Sequence, residues 1–310
     1  MSKITSIGGE ALMEGVMMRG PHRVTAAFCD KDGNITTEDI HVTPLTQKYK
    51  VLSLPLIRGP FSFIDSLRIG SKALNLSAEK IGLDDGEEEL TGFDKWLNDK
   101  FGDKIMGIIT AVGSVLGVAL AVVLFMLVPS LIFNGIKYIA GDGIEPARSL
   151  FEGALKFIVF IVYIWLMSKI PDIHRVFMYH GAEHKTIFCY ENDLELTVEN
   201  VKKMKRLHPR CGTSFLVLMI IIGIFVGFFI KVSNPFLRTI LKILTLPVVM
   251  SLGYELIRYC GRHDNTLCHI VSAPGKWIQL LTTAEPDDKM METAIAAIKA
   301  VIPENGEDIV

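Results

Sequence analysis

The strongest constraint in this sequence is the segment 105–136, which runs for 32 residues without a single charged side chain. A helix needs about 20 predominantly apolar residues to cross the hydrocarbon core of a bilayer. Residues 211–230 form a second uncharged run, of 20 residues. Both runs are long enough to span, so the sequence predicts an integral membrane protein. The excess length of the first run predicts a tilted helix or a continuation buried in the membrane.

Two further apolar segments, 147–170 and 237–256, are weaker candidates for membrane spans. The first contains Glu152 and Lys156, which are four residues apart and could pair on one helical face. The second contains Pro247, which can kink a helix. Either segment could instead be half-buried or re-entrant. We expect about four spans together with soluble segments, because 50% of the residues are hydrophobic while 21% are still charged.

The lysine and arginine residues near the span ends predict the orientation of the chain. The segment between the second and third spans is rich in them, whereas the segment between the first and second has only Lys137 and Arg148. Both termini and the central loop are therefore expected in the cytoplasm. The predicted organisation is a cytoplasmic N-terminal part at 1–104, transmembrane helices at 105–136, 147–170, 211–230 and 237–256, a cytoplasmic loop at 171–210, and a cytoplasmic C-terminal part at 257–310.

The soluble part is predicted to contain a β-hairpin within residues 22–46, because strand-like segments flank the turn sequence at 31–34. A C-terminal amphipathic helix beginning at Pro286 is expected to dock on the soluble part in preference to the membrane surface. The predicted fold is therefore mixed: a polytopic α-helical membrane protein with a small, hairpin-containing cytoplasmic N-terminal part. A second amphipathic helix is predicted at 61–80, with an apolar face formed by Phe61, Ile64, Leu67, Leu74 and Ile81.

Charge and cysteine content exclude some classes of protein. The formal net charge is -2, which gives no support to nucleic-acid binding. The five cysteines form no C-x-x-C pair, and their odd number argues against a secreted disulfide scaffold. Reduced thiols fit a cytoplasmic face. The acidic stretch at 84–89 is expected to be a solvated linker.

The most informative local pattern lies in the central loop, where His180, Glu183 and His184 follow the order H-x-x-E-H. On a helix, residues four apart project from one face, so both imidazoles could bind one divalent ion, zinc above all. Glu183 would then lie beside the ion as a general base, in the order used by inverted zinc peptidases. A catalytic zinc also needs a third protein ligand and an open position for water.

His208 and Cys211 are the candidates for the third ligand, because they belong to the same predicted membrane face and both bind zinc well. An oxygen ligand is an alternative, although Glu255 could instead be neutralised by Arg258 or Arg262. The whole constellation could also be a set of interfacial anchors, since such side chains concentrate where membrane meets water. The oxygen alternatives are Glu191, Glu195 and Glu255.

The N-terminal run at 8–21 is rich in glycine and carries Glu10 and Glu14. Glycines permit a close approach of the backbone to other groups. The two carboxylates could cap the metal site or hold a second ion. The simpler interpretation is a solvated helical turn with both carboxylates on one side.

Four strings of the sequence resemble the bacterial YqhQ family in the right order: GGEALMEGVMMRGP, MYHGAEHKTIFCYEND, LHPRCGTSF and SAPGKWIQLLTTAEPDD. The resemblance covers nearly the whole chain. It implies a protein of the bacterial plasma membrane, because the family consists of membrane proteins described as predicted metal-dependent enzymes. It thereby supports a metal ion at His180 and His184, but it implies neither a reaction nor a substrate.

The leading functional hypothesis is a membrane-bound, metal-dependent hydrolase. His180 and His184 would hold the ion, with His208 or Cys211, and Glu183 would activate water. Arg210, and with it Arg19 and Arg58, could bind an anionic substrate or stabilise negative charge. Membrane lipids, membrane-protein tails and peptides are the expected partners, and the oligomeric state is left open.

Two other hypotheses belong to different classes of protein. The chain could be a scaffold or assembly factor, in which the histidines hold a closed structural ion or none. Transport is less favoured, because the predicted spans contain few charges and no paired interrupted helices. Substitution of Glu183 separates the first two hypotheses, since only the hydrolase needs that carboxylate.

Overall fold

The structure, a computed structural model, describes residues 3–81, 105–263 and 265–309. The predicted acidic linker at 84–89 lies outside these residues. The chain divides into a first unit (1–81, 161–222 and 246–310) and a second unit (82–160 and 223–245).

The described α-helices are α1 (Leu45–Lys48), α2 (Arg58–Ile81), α3 (Ile105–Val122), α4 (Val128–Ala140), α5 (Arg148–Met167), α6 (Pro171–Glu191), α7 (Val198–Lys202), α8 (Gly212–Gly227), α9 (Pro235–Cys260), α10 (Thr266–Thr282) and α11 (Asp288–Val301). A π-helical turn, Val123–Leu127, joins α3 to α4, and short 3-10 helices lie at Lys50–Ser53 and Asp142–Ala147.

The first unit contains a four-stranded antiparallel sheet in the order β1-β2-β3-β4. The predicted hairpin is confirmed, because β3 pairs with β4 from Thr25 opposite Asp39 to Cys29 opposite Ile35. Gly33 takes a φ of 82° in the turn, a conformation that favours glycine. The strands are β1 (Gly8–Leu12), β2 (Gly15–Arg19), β3 (Val24–Cys29) and β4 (Ile35–Asp39).

The predicted helical turn around Glu10 and Glu14 is wrong, because this segment forms the hairpin of β1 and β2. Glu10 pairs with Met17 in the sheet, and Glu14 occupies the turn with a φ of 50°. The glycine content explains the difference, since glycine is a poor helix former. The guanidinium of Arg175 holds the turn residue Glu14 through bonds of 2.5 and 2.6 Å, and these bonds lower the pKa of the Glu14 carboxyl.

Helices cover both faces of this sheet. Val16 and Met18 of β2 pack in one buried cluster with residues of α6 and α11, whereas Met17 packs on the other face with residues of α2. A strand that is buried on both faces needs no alternation of polar and apolar residues. This explains why β2 reads as a continuous apolar run and gives no strand pattern.

The helix predicted at 61–80 exists as α2, but the predicted apolar face is not the face that packs on the sheet. Leu67 is 57% exposed, whereas Ile69 and Ala73 are buried. The packed face also holds Asp65, which accepts hydrogen bonds from the backbone of Leu45 and Thr46 at 2.8 and 3.3 Å. Small and hydrogen-bonded polar residues therefore form the contact, which an apolar pattern does not reveal.

The predicted C-terminal helix is confirmed as α11, and it docks on the sheet as expected. The side chain of Asp287 caps it by accepting a hydrogen bond from the Met290 amide at 2.8 Å. Its apolar face carries Met291, Ala294 and Ile298, which are buried in the cluster with α6 and the sheet. The last, first and central parts of the chain thus share one core.

Three helical stretches among the described residues are long and apolar enough to cross a membrane: Val112–Ala140, Asp142–Met167 and Pro235–Cys260. They correspond to the first, second and fourth predicted spans. The third predicted span, 211–230, is the shorter apolar helix α8. The chain is therefore a membrane protein that is mostly helical.

In the second unit, the predicted pairing of Glu152 with Lys156 is replaced by other partners. The Glu152 carboxylate lies 3.1 Å from Arg148, 3.0 Å from Arg238 and 2.5 Å from Lys242. Arg238 is only 1% exposed. Two of these partners come from α9, far along the chain, which explains why a local helical pattern did not identify them.

Candidate metal centre

The predicted helix around the histidine pair is α6, and its geometry brings three potential ligands together. His180 and His184 lie one turn apart, with ring centroids separated by 4.4 Å. Cys211, immediately before α8, has its sulfur 3.1 Å from Nε2 of His180. The ligand atoms of these three residues all lie within 4.8 Å of one another.

The backbone fixes the tautomer of both histidines. Nδ1 of His180 lies 2.8 Å from the carbonyl oxygen of Thr282, and Nδ1 of His184 lies 2.5 Å from that of Arg206. A carbonyl can only accept a hydrogen bond, so Nδ1 carries the proton in each ring and Nε2 of the neutral imidazole presents a lone pair. The Nε2 atom of His184 is buried without a hydrogen-bond partner among the described residues. A ring held at one nitrogen by a backbone carbonyl is typical of histidines that bind metals through the other.

Neighbouring groups lower the pKa of the Cys211 thiol. Burial alone would raise its pKa, but interactions with His184 and with the amide and hydroxyl of Thr213 bring it below the usual value. The Thr213 hydroxyl donates to the sulfur at 3.2 Å, and its amide lies 3.5 Å away at the start of α8. Burial lowers the pKa of His184. A thiolate and neutral imidazoles are the protonation states in which these side chains bind metals.

Glu183 supplies a buried carboxyl group beside the three ligands. Its Oε2 atom lies 4.0 Å from Nε2 of His180. Burial raises its pKa to about 8, although the nearby His180 acts in the opposite direction. Gly9 of β1 lies against it, since a Cβ at that position would come within 2.8 Å of the Glu183 Cγ atom. The glycine in β1 is thus required for close approach of the sheet to the centre.

Glu10, a predicted neighbour of the site, follows Gly9 in β1. Its pKa is raised by burial of the carboxyl group and is lowered in part by His180. The carboxyl oxygens lie against Gly70 of α2, where a Cβ would come within 2.9 Å. The structure therefore brings a second carboxyl group toward the histidine pair from the N-terminal strand.

His208 lies next to the centre but is engaged through both ring nitrogens. Its Nδ1 accepts from the Arg210 amide at 3.3 Å, and Nε2 lies 3.3 Å from the Glu191 carboxylate. Its backbone also exchanges hydrogen bonds of 2.8 and 2.7 Å with the Gln279 side chain. Of the two candidates for the third ligand, Cys211 is therefore the one within reach.

The other candidate residues either form ion pairs outside the group of three or are exposed. Arg210 forms an ion pair with Glu191, so the carboxylate of this candidate oxygen ligand is already bonded to a cation. Glu255 forms its direct ion pair with Arg58 of α2, through bonds of 2.8 and 2.5 Å, and the predicted partner Arg258 acts on it only electrostatically. Arg19 and Glu195 are both exposed.

Sequence reasoning missed α10, whose last turn supports the centre. Thr282 provides the carbonyl that orients His180, and Gln279 holds the backbone of His208. The chain then runs against α6, where the Ala284 amide donates to the Phe177 carbonyl at 2.8 Å. Gly181 makes this approach possible, because a Cβ there would collide with the Ala284 carbonyl. In the sequence, the string that contains Gln279 and Thr282 supports the family resemblance, but it does not indicate that these residues support the centre.

These residues fit a zinc ion. Two imidazole nitrogens and one cysteine sulfur would form the ligand set, and the lone pair on Nε2 of His184 has no other acceptor role among the described residues. Three protein ligands leave a fourth position free, which is the arrangement of catalytic zinc sites.

Comparisons with known proteins show the family to which the chain belongs. Residues 54–304 match a family described as "Protein of unknown function (DUF1385)", a range that includes the three candidate ligands and Glu183. The chain is 36% identical over 299 residues to "Uncharacterized protein YqhQ" of Bacillus subtilis (strain 168), covering 95% of this chain and 92% of the relative. No solved structure matches significantly. The chain belongs to the YqhQ family.

Proposed function

We propose that this protein is a membrane-bound, metal-dependent hydrolase with a zinc site formed by His180, His184 and Cys211. The observation that carries the proposal is the pair of imidazoles oriented by backbone carbonyls, with the Nε2 atom of His184 buried and without a partner among the described residues. A buried lone pair of this kind is costly unless it binds something. The Cys211 sulfur, 3.1 Å from Nε2 of His180, supports a cation as the occupant, because zinc binds cysteine sulfur and imidazole nitrogen together.

A bound zinc ion would supply Lewis-acid activation of water at neutral pH. The protein's own part in the chemistry belongs to Glu183. Its buried carboxyl has a pKa of about 8, so it can accept and release a proton near neutral pH. Arg210 is tied to Glu191, and we assign it the positioning of the segment around His208.

We also propose that α8 crosses the membrane as a fourth span. The N-terminal sheet, α6 and α11 share one buried core, so these three parts of the chain lie on the same side of the membrane. An even number of crossings must therefore separate α6 from α11. The long helix α9 supplies one crossing in that interval, so a second crossing is needed. We assign it to α8, which is the shorter apolar helix in the same interval.

The basic residues around α6 and α7 favour the cytoplasm for this shared core. Both termini would then be cytoplasmic, in the plasma membrane of a bacterium. A site at this face can reach lipid headgroups and the soluble tails of membrane proteins, which are the substrates we propose.

Cysteine labelling in cells tests the topology. Lys231, between α8 and α9, is exposed, and Lys231→Cys is expected to react with a membrane-impermeant maleimide in intact cells. Asp32→Cys, in the exposed hairpin turn, is expected to react only after permeabilisation. The unsubstituted protein gives the background from its own cysteines. Labelling of both positions under the same condition contradicts four crossings.

Metal analysis tests the proposed centre. Detergent-purified protein, grown with zinc, is expected to contain about one ion per chain, and replacement of His180 or His184 by alanine is expected to remove it. The matched control is His174→Ala, because His174 is an exposed histidine on the same helix. A well-folded wild type that binds no zinc or manganese would point to the scaffold hypothesis.

A further inference from the structure

Helix α10 directs most of its large apolar side chains outward and buries several polar side chains. Its buried face includes Ser272, Gln279 and Thr282. The exposed apolar side chains are Leu267 (51% exposed), Ile270 (66%), Trp277 (70%) and Leu280 (53%). A helix at a protein–water surface buries its apolar side, so the medium on the outer side of α10 is not water.

The polar side of α10 is firmly attached to the protein. The Gln279 side chain forms a pair of hydrogen bonds with the backbone of His208, at 2.8 and 2.7 Å. Asn265 caps the helix by accepting from the Cys268 amide at 2.9 Å. The orientation of the helix is thus determined by these contacts, and the outward direction of Trp277 follows from it.

We propose that α10 lies in the surface of the cytoplasmic leaflet, with its apolar side inserted among the lipids. The helix begins at Thr266, shortly after the membrane-crossing α9 ends at Cys260, so the chain enters α10 at the membrane surface. Tryptophan is enriched at this depth, and Lys276 can extend its ammonium group toward the headgroups. The occupant of the exposed face is the lipid monolayer.

A second segment supports the same boundary. Tyr49, Val51 and Leu54 are apolar and between 49 and 64% exposed, directly before α2. This segment is attached to α9, because the Leu56 amide donates to the Glu255 carboxylate at 3.2 Å. Exposed apolar residues therefore occur twice beside the same end of a membrane span.

The insertion has a consequence for the metal centre. Thr282, in the last turn of α10, orients His180 through its carbonyl group. A helix seated in the leaflet thus holds one ligand of the centre, and the centre lies against the lipid surface. The choice of leaflet rests on the proposed topology, whereas the insertion itself is independent of the metal and of the proposed reaction.

Fluorescence of a single tryptophan tests the insertion. The full chain with Trp96→Phe and Trp165→Phe retains only Trp277. It is placed in nanodiscs of phosphatidylcholine whose bromine atoms lie either near the headgroup or near the end of the acyl chain. Trp277 is expected to lose most of its emission with the shallow bromines, and less with the deep ones.

The matched control replaces all three tryptophans by phenylalanine and adds Asp32→Trp, in the hairpin turn, which is expected to keep its emission with both lipids. Trp277 emission that neither lipid quenches overturns the proposal, and stronger quenching by the deep bromines overturns the surface position in favour of a helix inserted into the core.

If the replacements unfold the protein, a nitroxide on Ile270→Cys answers the same question. Access to oxygen above that to a water-soluble nickel chelate supports insertion, and the reverse order overturns it.

Discussion

Replacement of Glu183 by glutamine is expected to slow turnover by about 10²–10⁴-fold while the protein keeps its metal and its fold. Glu183 is adjacent to the three ligands but is not one of them, with its carboxyl 4.0 Å from His180. General acid–base catalysis contributes about 10²–10⁴-fold to a rate, so a loss of that size is expected. Because burial disfavours the charged carboxylate, a neutral amide of the same shape is not expected to destabilise the protein.

The measurement uses zinc-loaded protein in nanodiscs and a panel of ester, phosphodiester and peptide substrates. Glu195→Gln is the matched control, since it makes the same chemical change at an exposed glutamate nearby. Metal content and thermal unfolding are measured on all three proteins. A Glu183→Gln variant as active as the wild type contradicts the assigned role, and a zinc-loaded wild type that cleaves no member of the panel contradicts the hydrolase assignment.

Replacement of Glu152 by alanine is expected to destabilise the second unit by about 3–5 kcal/mol, because it leaves buried cations without their counter-ion. The carboxylate bonds to Arg148 and Ser130 through one oxygen, at 3.1 and 2.8 Å. Its other oxygen bonds to Arg238 and Lys242, at 3.0 and 2.5 Å. Charges inside a membrane-spanning region are costly unless they are paired, so this carboxylate is the residue on which the cluster depends.

Thermal unfolding in detergent measures this effect. Glu145→Gln is the control, because Glu145 also pairs with Arg148 but its side chain is 34% exposed. Glu145 is partly exposed and water can solvate Lys137, the other cation that it pairs with, so the control is expected to unfold closer to the wild type than Glu152→Ala does. Equal unfolding temperatures for Glu152→Ala and the wild type would show that the cations find other partners.

Local patterns predicted the parts of the structure that depend on neighbouring residues. The spacing of His180 and His184 determines that they share one face of α6, whatever surrounds the helix. The hairpin of β3 and β4 likewise depends on its own turn, where Asp30 accepts hydrogen bonds from the amides of Asp32 and Asn34 at 2.9 and 2.8 Å. The long uncharged run at 105–136 identified a helix long enough to cross a membrane for the same reason.

Contacts between residues that are far apart in the sequence could not be predicted from such local patterns. The choice between His208 and Cys211 depends on which ring nitrogens of His208 are already bonded, and therefore on the Arg210 amide and the Glu191 carboxylate. The packed face of α2 was misjudged because its contact uses Ala73 and buried polar groups instead of a leucine stripe. Helix α10 itself was missed, since most of its large apolar residues face outward and several polar residues face the protein.

The absorption spectrum of the cobalt-loaded protein tests the proposed metal centre most directly. Cobalt(II) occupies sites of nitrogen and sulfur ligands much as zinc does, and a thiolate ligand adds an intense charge-transfer band in the near ultraviolet. We expect this band in the wild type and in His174→Ala. It is expected to disappear in Cys211→Ser, and His184→Ala is expected to bind no cobalt. A wild-type spectrum without the sulfur band, or one that Cys211→Ser leaves unchanged, would contradict a centre built from these three ligands.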